Sequence, residues 1–415
     1  MLVRRSSLFL SMICIMGAVF FAQGVLAAGN IQIGQVKVLP RVSYTGEWED
    51  NIYQDNANKK NDYLHKLGAG LGLEYTRDED NYARLSYDVT HVRYDEYSKN
   101  DYWKHNALAS LRYQSPMGMY VTLSENFRES SDPYDSDDDY DTGDITKRWI
   151  NDAKVGLGYE FSDRIRTEAY YRNYLKRFHE FSDKHKDRME HEPGIITYYK
   201  FLPKTSVLVE YRATFTSYAE QQDASDNAYG YDSDTSQDST YHRVFVGLHW
   251  DATAKINGDL KLGWGYKDFD NDEDYAGNDY KDKGSWVAET RLGYQLFQRT
   301  RLTFSLVNEQ KDDTDAGTGS YEHSKVGFGL DQGITDQLKF LGDVSYTYNL
   351  YEYEEDGTND KDENIYSLGL GFKYAFNEWV NAGIGYTYKE KINNSSYDSD
   401  NYTDHTCSIS LGAAF

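Results

Sequence analysis

Lysine and arginine side chains recur at one parity of many alternating segments, and they are the residues whose type and spacing predict chemistry here. In a β-strand, residues of one parity project from one face of the sheet. Rings of Lys and Arg favour anions in a pore. We therefore expect a pore lined by Arg84, Arg112, Arg128, Lys154, Arg166, Arg172, Arg212, Lys261, Arg291, Lys325 and Lys373.

Acidic residues share that parity, although the bases outnumber them. Opposite charges on neighbouring strands pair and stiffen a sheet, and such pairs would account for most of these acids. The unpaired bases would then be the functional ones. Since the whole chain has a net charge of −24, its excess acid must lie in the connections between strands. A charge of this sign also argues against nucleic acid as a partner.

The strand assignment rests on period-two alternation along the whole chain. In KLGAGLGLEY (Lys66 to Tyr75) and in YSLGLGFKYAF (Tyr366 to Phe376), apolar residues alternate with small or charged ones. This is the period of a β-strand. Val89 and Val92 differ in parity, so a bulge is expected between them if both face lipid. No segment after residue 27 approaches the 18 apolar residues of a transmembrane helix.

Short and long connections alternate between these segments. Eight short turns, such as Ser115–Gly118 and Phe376–Trp379, separate long acidic stretches. This layout is typical of an outer-membrane barrel with periplasmic turns and extracellular loops. The strands of a soluble sandwich also alternate apolar and polar residues, but their connections do not alternate between short and long. A solenoid needs a fixed repeat length, which this chain lacks. The fold class predicted is all-β, a single transmembrane antiparallel barrel of about 18 strands.

The first 27 residues predict a signal peptide. Arg4 and Arg5 precede an apolar run, Leu8 to Phe21, and a Val-Leu-Ala cleavage pattern. Residues 28–415 are then one barrel domain, expected in the outer membrane of a Gram-negative bacterium. Only Cys407 remains in that domain, so no internal disulfide is expected.

The chain ends in CSISLGAAF, another alternating segment. Ile409, Leu411, Ala413 and Phe415 share a parity and would face lipid. A terminal Phe after alternating apolar residues resembles the signal that the barrel-assembly machinery recognises. The expected partners are therefore that machinery, outer-membrane lipid and lipopolysaccharide.

Catalytic and metal-binding patterns are weak in this sequence. His179, His185 and His191 are six residues apart, wider than usual metal-ligand spacings, and no set typical of a barrel enzyme is found. We expect no enzyme activity and no cofactor. Two acidic segments, Asp135–Asp144 and Asp356–Asn364, resemble calcium loops without the complete spacing. They are either solvated loops or Ca²⁺ sites that tie the barrel to lipopolysaccharide.

The segment VLPRVSYTGEWEDNIYQ, Val38 to Gln54, resembles the opening of the putative beta-barrel porin 2 family of Gram-negative outer-membrane proteins. The alternating residue pattern over the rest of the chain also resembles this family. It implies a barrel that accompanies exopolysaccharide synthesis and export, with periplasmic polysaccharide export proteins as partners. The family supplies no catalytic residues.

The function expected is passage of exopolysaccharide or another anionic solute through the outer membrane. One alternative is a general diffusion porin for small solutes. Another is a plugged structural or adhesive barrel in which the loops act at the surface. A plugged barrel would show no conductance, whereas both kinds of pore would conduct.

Overall fold

The computed structural model describes residues 31–131, 146–218, 236–251, 255–272, 279–313, 319–352, 360–394 and 401–414. The predicted signal peptide, the acidic segment Asp135–Asp144 and the terminal Phe415 lie outside these residues. No helix within them has the length and hydrophobicity of a membrane span.

Nineteen strands of the described residues form one antiparallel sheet, and two short 3-10 helices, Ser98–Asn100 and Phe181–Lys186, lie in connections. The strands are β1 (Ile31–Ile33), β2 (Val36–Glu49), β3 (Asp62–Asp78), β4 (Asn81–Tyr94), β5 (Tyr102–Gln114), β6 (Met119–Ser130), β7 (Arg148–Glu160), β8 (Ile165–Phe178), β9 (Arg188–Leu202), β10 (Thr205–Tyr218), β11 (Ser239–Trp250), β12 (Ile256–Phe269), β13 (Lys283–Phe297), β14 (Thr300–Asp312), β15 (Ser320–Gly333), β16 (Leu338–Tyr351), β17 (Lys361–Ala375), β18 (Val380–Asn393) and β19 (Tyr402–Ala414).

Strands β2 to β19 close into a barrel of 18 strands. Each pairs with the next along the chain, and β19 pairs with β2 from Thr406 opposite Glu49 to Ala414 opposite Arg41. Strand β1 pairs only with the first residues of β2. Closure gives every barrel strand two neighbours, which a strand in hydrocarbon needs because its backbone has no water to bind there. The predicted closed antiparallel barrel is confirmed.

The connections alternate in length as the sequence predicts. Eight turns of two to five residues lie at one end of the barrel, the short-turn end. Nine connections of seven to 20 residues lie at the other, the long-loop end. In the turn Ser115–Gly118, the N–H of Gly118 donates to the Ser115 carbonyl at 3.1 Å. Gly118 has φ of +83°, a conformation that side-chain-bearing residues rarely adopt.

The outer surface of the barrel is apolar. Leu67, Leu157, Ile384 and Ile409 are each more than half exposed, as expected where lipid replaces water. Val92 is an exception to the predicted alternation.

The bulge expected between Val89 and Val92 is absent, and that prediction is wrong. Val89 pairs with Ala69 and Val92 with Lys66 in one continuous register. Val92 therefore faces inward, where it is only 2% exposed and packs in an apolar cluster. An apolar residue on the inner face has a packing partner here, so no change of register is needed.

Candidate functional site

The eleven bases predicted to line a pore all lie on barrel strands and on the inner face. Arg84, for example, alternates with the exposed Leu85, and Lys154 alternates with the exposed Val155. On each of the strands β4 to β8, β10, β12, β13, β15 and β17, the predicted base has the parity of the inner face. The barrel thus brings residues from ten strands onto one internal wall.

Many bases on this wall are paired with acids. On β2 to β8 the partners lie on neighbouring or next-but-one strands, or in the turn between β3 and β4, so the pairs stabilise the wall across its hydrogen-bonded strands. Five such pairs are Arg41–Asp88 at 2.7 Å, Lys66–Glu47 at 2.7 Å, Arg84–Glu74 at 2.9 Å, Arg112–Asp80 at 3.1 Å and Arg172–Asp152 at 2.7 Å.

A denser group of charges lies inside β9 to β14. We call it the inner charge cluster. Its bases and acids are nearly equal in number, so it carries little net charge. Its members are Arg188, Glu190, Glu192, Glu210, Arg212, Arg243, Lys261, Lys267, Glu289, Glu309 and Asp312.

Ion pairs of this cluster join strands that are not neighbours. Arg212 on β10 donates to Glu289 on β13 at 2.6 Å. Arg188 on β9 lies 3.9 Å from Asp312 on β14. Five strand intervals cover about 24 Å of wall, further than an Arg and an Asp side chain reach together. The wall must therefore bend sharply at β9 to β14, and the cluster fills this part of the lumen.

Asp312 is the point where side chains of several strands converge. It forms an ion pair with Lys267 of β12 and accepts a hydrogen bond from the Tyr218 hydroxyl of β10 at 2.7 Å. The side chain of Lys267 is only 4% exposed. A buried ammonium needs such partners, because its loss of hydration is otherwise uncompensated.

The rest of the lumen contains a cavity of about 720 Å³. Strands β2 to β10 and β13 contribute to its lining. Four of the predicted pore residues meet there: Arg84, Lys154, Arg172 and Arg212. The other seven lie elsewhere on the inner wall.

The position of Lys154 follows from a glycine. A Cβ on Gly194 would lie 2.2 Å from the Tyr170 ring, so only glycine lets that ring lie flat on the wall. The Tyr170 hydroxyl then donates to Glu210 at 2.5 Å. The ammonium of Lys154 lies 3.6 Å from the ring centroid, within the range of a cation–π contact.

Some bases have no acidic partner among the described residues. Arg128, Arg291 and Lys373 are exposed to the lumen and make no ion pair or hydrogen bond with any of those residues. Arg128 lies near the long-loop end of β6, Arg291 near the middle of β13 and Lys373 near the short-turn end of β17. Together they place positive charge along the full height of the wall.

Acids without a Lys or Arg partner are also found on the described part of the wall. Glu160 accepts a hydrogen bond from Gln114 at 3.0 Å, and Glu168 is hydrogen-bonded to Tyr120. These bonds occupy part of the acceptor capacity of the two carboxylates. Asp343 of β16 is a third such acid, exposed on the inner face and without an ion pair or hydrogen bond among the described residues. The wall therefore carries free charge of both signs.

An apolar cluster lies inside the long-loop end. Ile52 comes from the connection 50–61 and packs against Leu64, Val92 and Tyr94 of the inner face. All four are nearly inaccessible to solvent. The alternating strand pattern did not predict this apolar cluster. Its only signal was the pair of apolar residues in an otherwise polar loop, Ile52 and Tyr53.

The same loop is fixed at the seam between β2 and β19. The Asp50 N–H donates to the His405 carbonyl at 3.2 Å, and the His405 N–H donates to the Asp50 carboxylate at 2.7 Å. The Asn51 amide donates to the carbonyls of Thr403 at 3.0 Å and Asp55 at 2.9 Å. The segment that resembles the porin family thus holds the first strand to the last.

Asp55 shapes the outer part of this loop. Its carboxylate accepts the N–H groups of Ala57 and Asn58, each at 2.8 Å. These bonds favour the charged form and lower the pKa of the Asp55 carboxyl below its ordinary value. The loop turn is therefore retained when the pH falls moderately below neutral.

The terminal strand has the predicted orientation as far as it is described. Ile409 is exposed on the outer face, and Leu411 and Ala413 share its parity in β19. Ala413 is nearly buried and pairs with Val380 of β18 and Val42 of β2. Because Phe415 lies outside the described residues, its role in assembly stays a prediction.

The metal sites considered from the sequence remain expectations. Within the described ranges no group of three or more His, Cys, Asp or Glu side chains is arranged to hold a metal ion. The segment Asp135–Asp144, residues 356–359 of the second acidic segment and the side chain of His185 lie outside those ranges. Calcium binding by the loops is untested.

Residues 26–415 match the family described as putative beta-barrel porin 2. The chain belongs to this porin family. The match covers the seam segment, the inner wall and the terminal strand together. Fold and family agree, and both imply the outer membrane of a Gram-negative bacterium.

Two solved structures illustrate what this porin is similar to. OccK2 (OpdF) of Pseudomonas aeruginosa is 10% identical, with 93% of this chain and 100% of that chain covered and a TM-score of 0.48. OpdK of Pseudomonas aeruginosa is 9% identical, with 91% and 99% covered and a TM-score of 0.46. These are likenesses of fold alone. No curated protein matches the chain.

Proposed function

We propose that this porin is a passive, non-enzymatic outer-membrane channel that favours anionic solutes. The observation that carries the proposal is the set of lumen-exposed bases, Arg128, Arg291 and Lys373, without acidic partners among the described residues. Rings of basic side chains raise the local concentration of anions in a pore. In the orientation typical of such barrels, the long loops face outward and the short turns face the periplasm.

The paired charges have a different role in this mechanism. Ion pairs such as Arg84–Glu74 and Arg172–Asp152 brace the wall and contribute little net field. The free bases interact with a solute through water, where an ion pair at 4 Å is worth about 1 kcal/mol. Attraction of this size admits an anion and still releases it.

The inner charge cluster limits the size of the solute. Arg212 and Glu289 join β10 to β13, and Arg188 and Asp312 join β9 to β14. A small anion can pass beside these pairs through the cavity lined by Arg84 and Lys154. Small anionic solutes are therefore the class that this geometry supports best.

An acidic exopolysaccharide is the second candidate permeant. Membership of the family supports it, because the family resemblance implies a link to polysaccharide export. For a polymer to pass, the ion pairs of the inner charge cluster would have to separate. A periplasmic export protein bound at the short-turn end would be the partner that causes this opening. Opening of the cluster separates this candidate from a general diffusion porin and from a plugged adhesive barrel.

Single-channel recording in planar bilayers tests the proposal. We expect the triple variant Arg128→Gln, Arg291→Gln, Lys373→Gln to lose anion preference, since it removes three unpaired positive charges. The matched control is Arg84→Gln with Glu74→Gln, which removes one ion pair and changes no net charge. Equal selectivity of the triple variant and the wild type, or no conductance at all, would contradict the proposal.

A further inference from the structure

Five pairs of tyrosine and histidine recur on the outer face of the barrel. In each pair the phenol oxygen is hydrogen-bonded to Nδ1 of the imidazole. The pairs are Tyr44–His65 at 2.8 Å, Tyr87–His105 at 2.7 Å, Tyr171–His191, Tyr211–His242 at 2.9 Å and Tyr386–His405 at 2.8 Å.

The five pairs share one register. Each His is the fourth residue of a strand that follows a long connection, and each Tyr lies on the strand before that connection. The Tyr stands opposite the residue two positions after the His, as Tyr87 opposite Ala107 and Tyr386 opposite Cys407 show.

The histidines lie at one edge of the apolar band. From His65 toward the short-turn end, the outward positions are Leu67, Ala69, Leu71, Leu73 and Tyr75, and Arg77 follows. This run of about ten residues has the length of a transmembrane β-strand. From His191 the outward residues up to Phe201 form a run of the same length. The His rings therefore lie where hydrocarbon meets the lipid headgroups.

One pair defines the positions of the protons. Nε2 of His65 lies 3.3 Å from the Asp95 carboxylate. A carboxylate only accepts hydrogen bonds, so Nε2 carries the hydrogen. In the neutral imidazole, Nδ1 then accepts from the Tyr44 hydroxyl. The phenol fixes the ring and its tautomer, and the Nε2–H group is presented to an anionic oxygen.

In the other four pairs, no carboxylate among the described residues lies at Nε2. Nε2 of His105, His191, His242 and His405 has no hydrogen-bond partner among the described residues. Glu129 lies opposite His105 but is paired with Lys147 at 3.1 Å. Asp268 acts on His242 only electrostatically.

We propose that these four pairs bind phosphate oxygens of outer-leaflet lipid headgroups. Asp95 shows in the fifth pair that an anionic oxygen fits at Nε2. Each Tyr is a positioning residue, and each imidazole Nε2–H donates to a phosphate oxygen. This inference rests on the orientation given under Proposed function, in which the long-loop end faces outward.

Lipid binding to the folded full-length barrel in detergent tests the inference. The probe is lipid A carrying both phosphates, compared with lipid A from which they have been removed. We expect the variant His105→Phe, His191→Phe, His242→Phe, His405→Phe to bind the phosphorylated lipid at least tenfold more weakly, as expected for loss of hydrogen bonds to a charged group. Binding of the dephosphorylated lipid should not change.

Two controls complete the experiment. His65→Phe should leave lipid binding unchanged, because Asp95 already occupies its Nε2. Four His→Gln changes should restore much of the affinity, since Gln retains an N–H donor. Equal binding of both lipids to the wild type, or no loss in the Phe variant, would overturn the inference. Competition by inorganic phosphate alone would show a free-phosphate site instead and would also overturn it.

Channel conductance is a separate readout of the same proteins. The four His residues face outward, so the quadruple Phe variant should conduct as the wild type does. An intact conductance with lost lipid binding would support this inference independently of solute selectivity. Resistance of the folded barrel to trypsin checks that the variant has assembled.

Discussion

Arg188 of β9 and Asp312 of β14 lie 3.9 Å apart although five strand intervals separate them. This contact shows that the barrel is not evenly round, because side chains on a round wall of 18 strands would be too far apart there. The inner charge cluster and the sharp bend at β9 to β14 are thus two aspects of one feature. Among the described residues, they narrow the lumen at this part of the wall.

Loss of Asp312 should destabilise the barrel. Asp312→Ala removes a carboxylate beside the buried Lys267 and Tyr218. Breaking a buried ion pair typically costs about 3–5 kcal/mol. Urea unfolding in lipid vesicles, followed by tryptophan fluorescence, measures the change in the free energy of unfolding.

A solvent-exposed pair on the inner wall provides the control for Asp312. Asp331 and Lys339 are 3.9 Å apart and about half exposed, so Asp331→Ala should cost less than about 1 kcal/mol. Equal effects of the two substitutions would show that the inner charge cluster does not stabilise the bend.

Removal of the bridge between β10 and β13 should widen the channel. In Arg212→Ala with Glu289→Ala, both charges at the 2.6 Å contact are lost, so no unpaired charge is created between them. We expect a larger single-channel conductance in planar bilayers. The pair Arg172→Ala with Asp152→Ala, which lies on neighbouring strands, is the control and should change conductance less. An unchanged conductance in the bridge variant would place the narrowest point elsewhere.

The loop at the β2–β19 seam should depend on Asn51. Asn51→Ala removes three hydrogen bonds of a fully buried amide: two donated to the carbonyls of Thr403 and Asp55, and one accepted from the Asp55 N–H. The exposed carbonyl partners regain water, and the loss should be about 1–3 kcal/mol locally. Limited proteolysis should then cut the connection 50–61 faster than in the wild type. Lys37→Ala, on the opposite end of β2, should leave the cleavage rate as it was.

The terminal residue should matter for assembly. Deletion of Phe415 removes the last aromatic residue of the alternating segment that contains Ile409 and Leu411. We expect less assembled barrel in the outer membrane, measured as the heat-modifiable band on gels. Deletion of the exposed hairpin residue Met117 is the matched control. Undiminished assembly without Phe415 would argue against the assembly signal.

Period-two alternation was sufficient to predict the strands, their number and the inner position of residues such as Arg84 and Lys373. It failed at Val92, because an apolar residue on the inner face is indistinguishable in sequence from a slip of register. The inward packing of Ile52 depends on a tertiary cluster with Leu64 and Tyr94. No strand pattern encodes such a contact.

The long-range contacts were beyond sequence reasoning for a different reason. Arg212 is predicted on the inner face, but its contact with Glu289 depends on how sharply the wall bends. The Tyr171–His191 pair likewise becomes visible only when the register of β8 and β9 is known. Parity specifies the face of a residue, and curvature and register specify its partners.

The zero-current potential of wild-type channels in a KCl gradient tests the central claim most directly. If Arg128, Arg291 and Lys373 supply the free charge of the lumen, chloride crosses faster than potassium. The concentrated side then becomes positive with respect to the dilute side. A potential of the opposite sign, showing cation preference, would contradict the account.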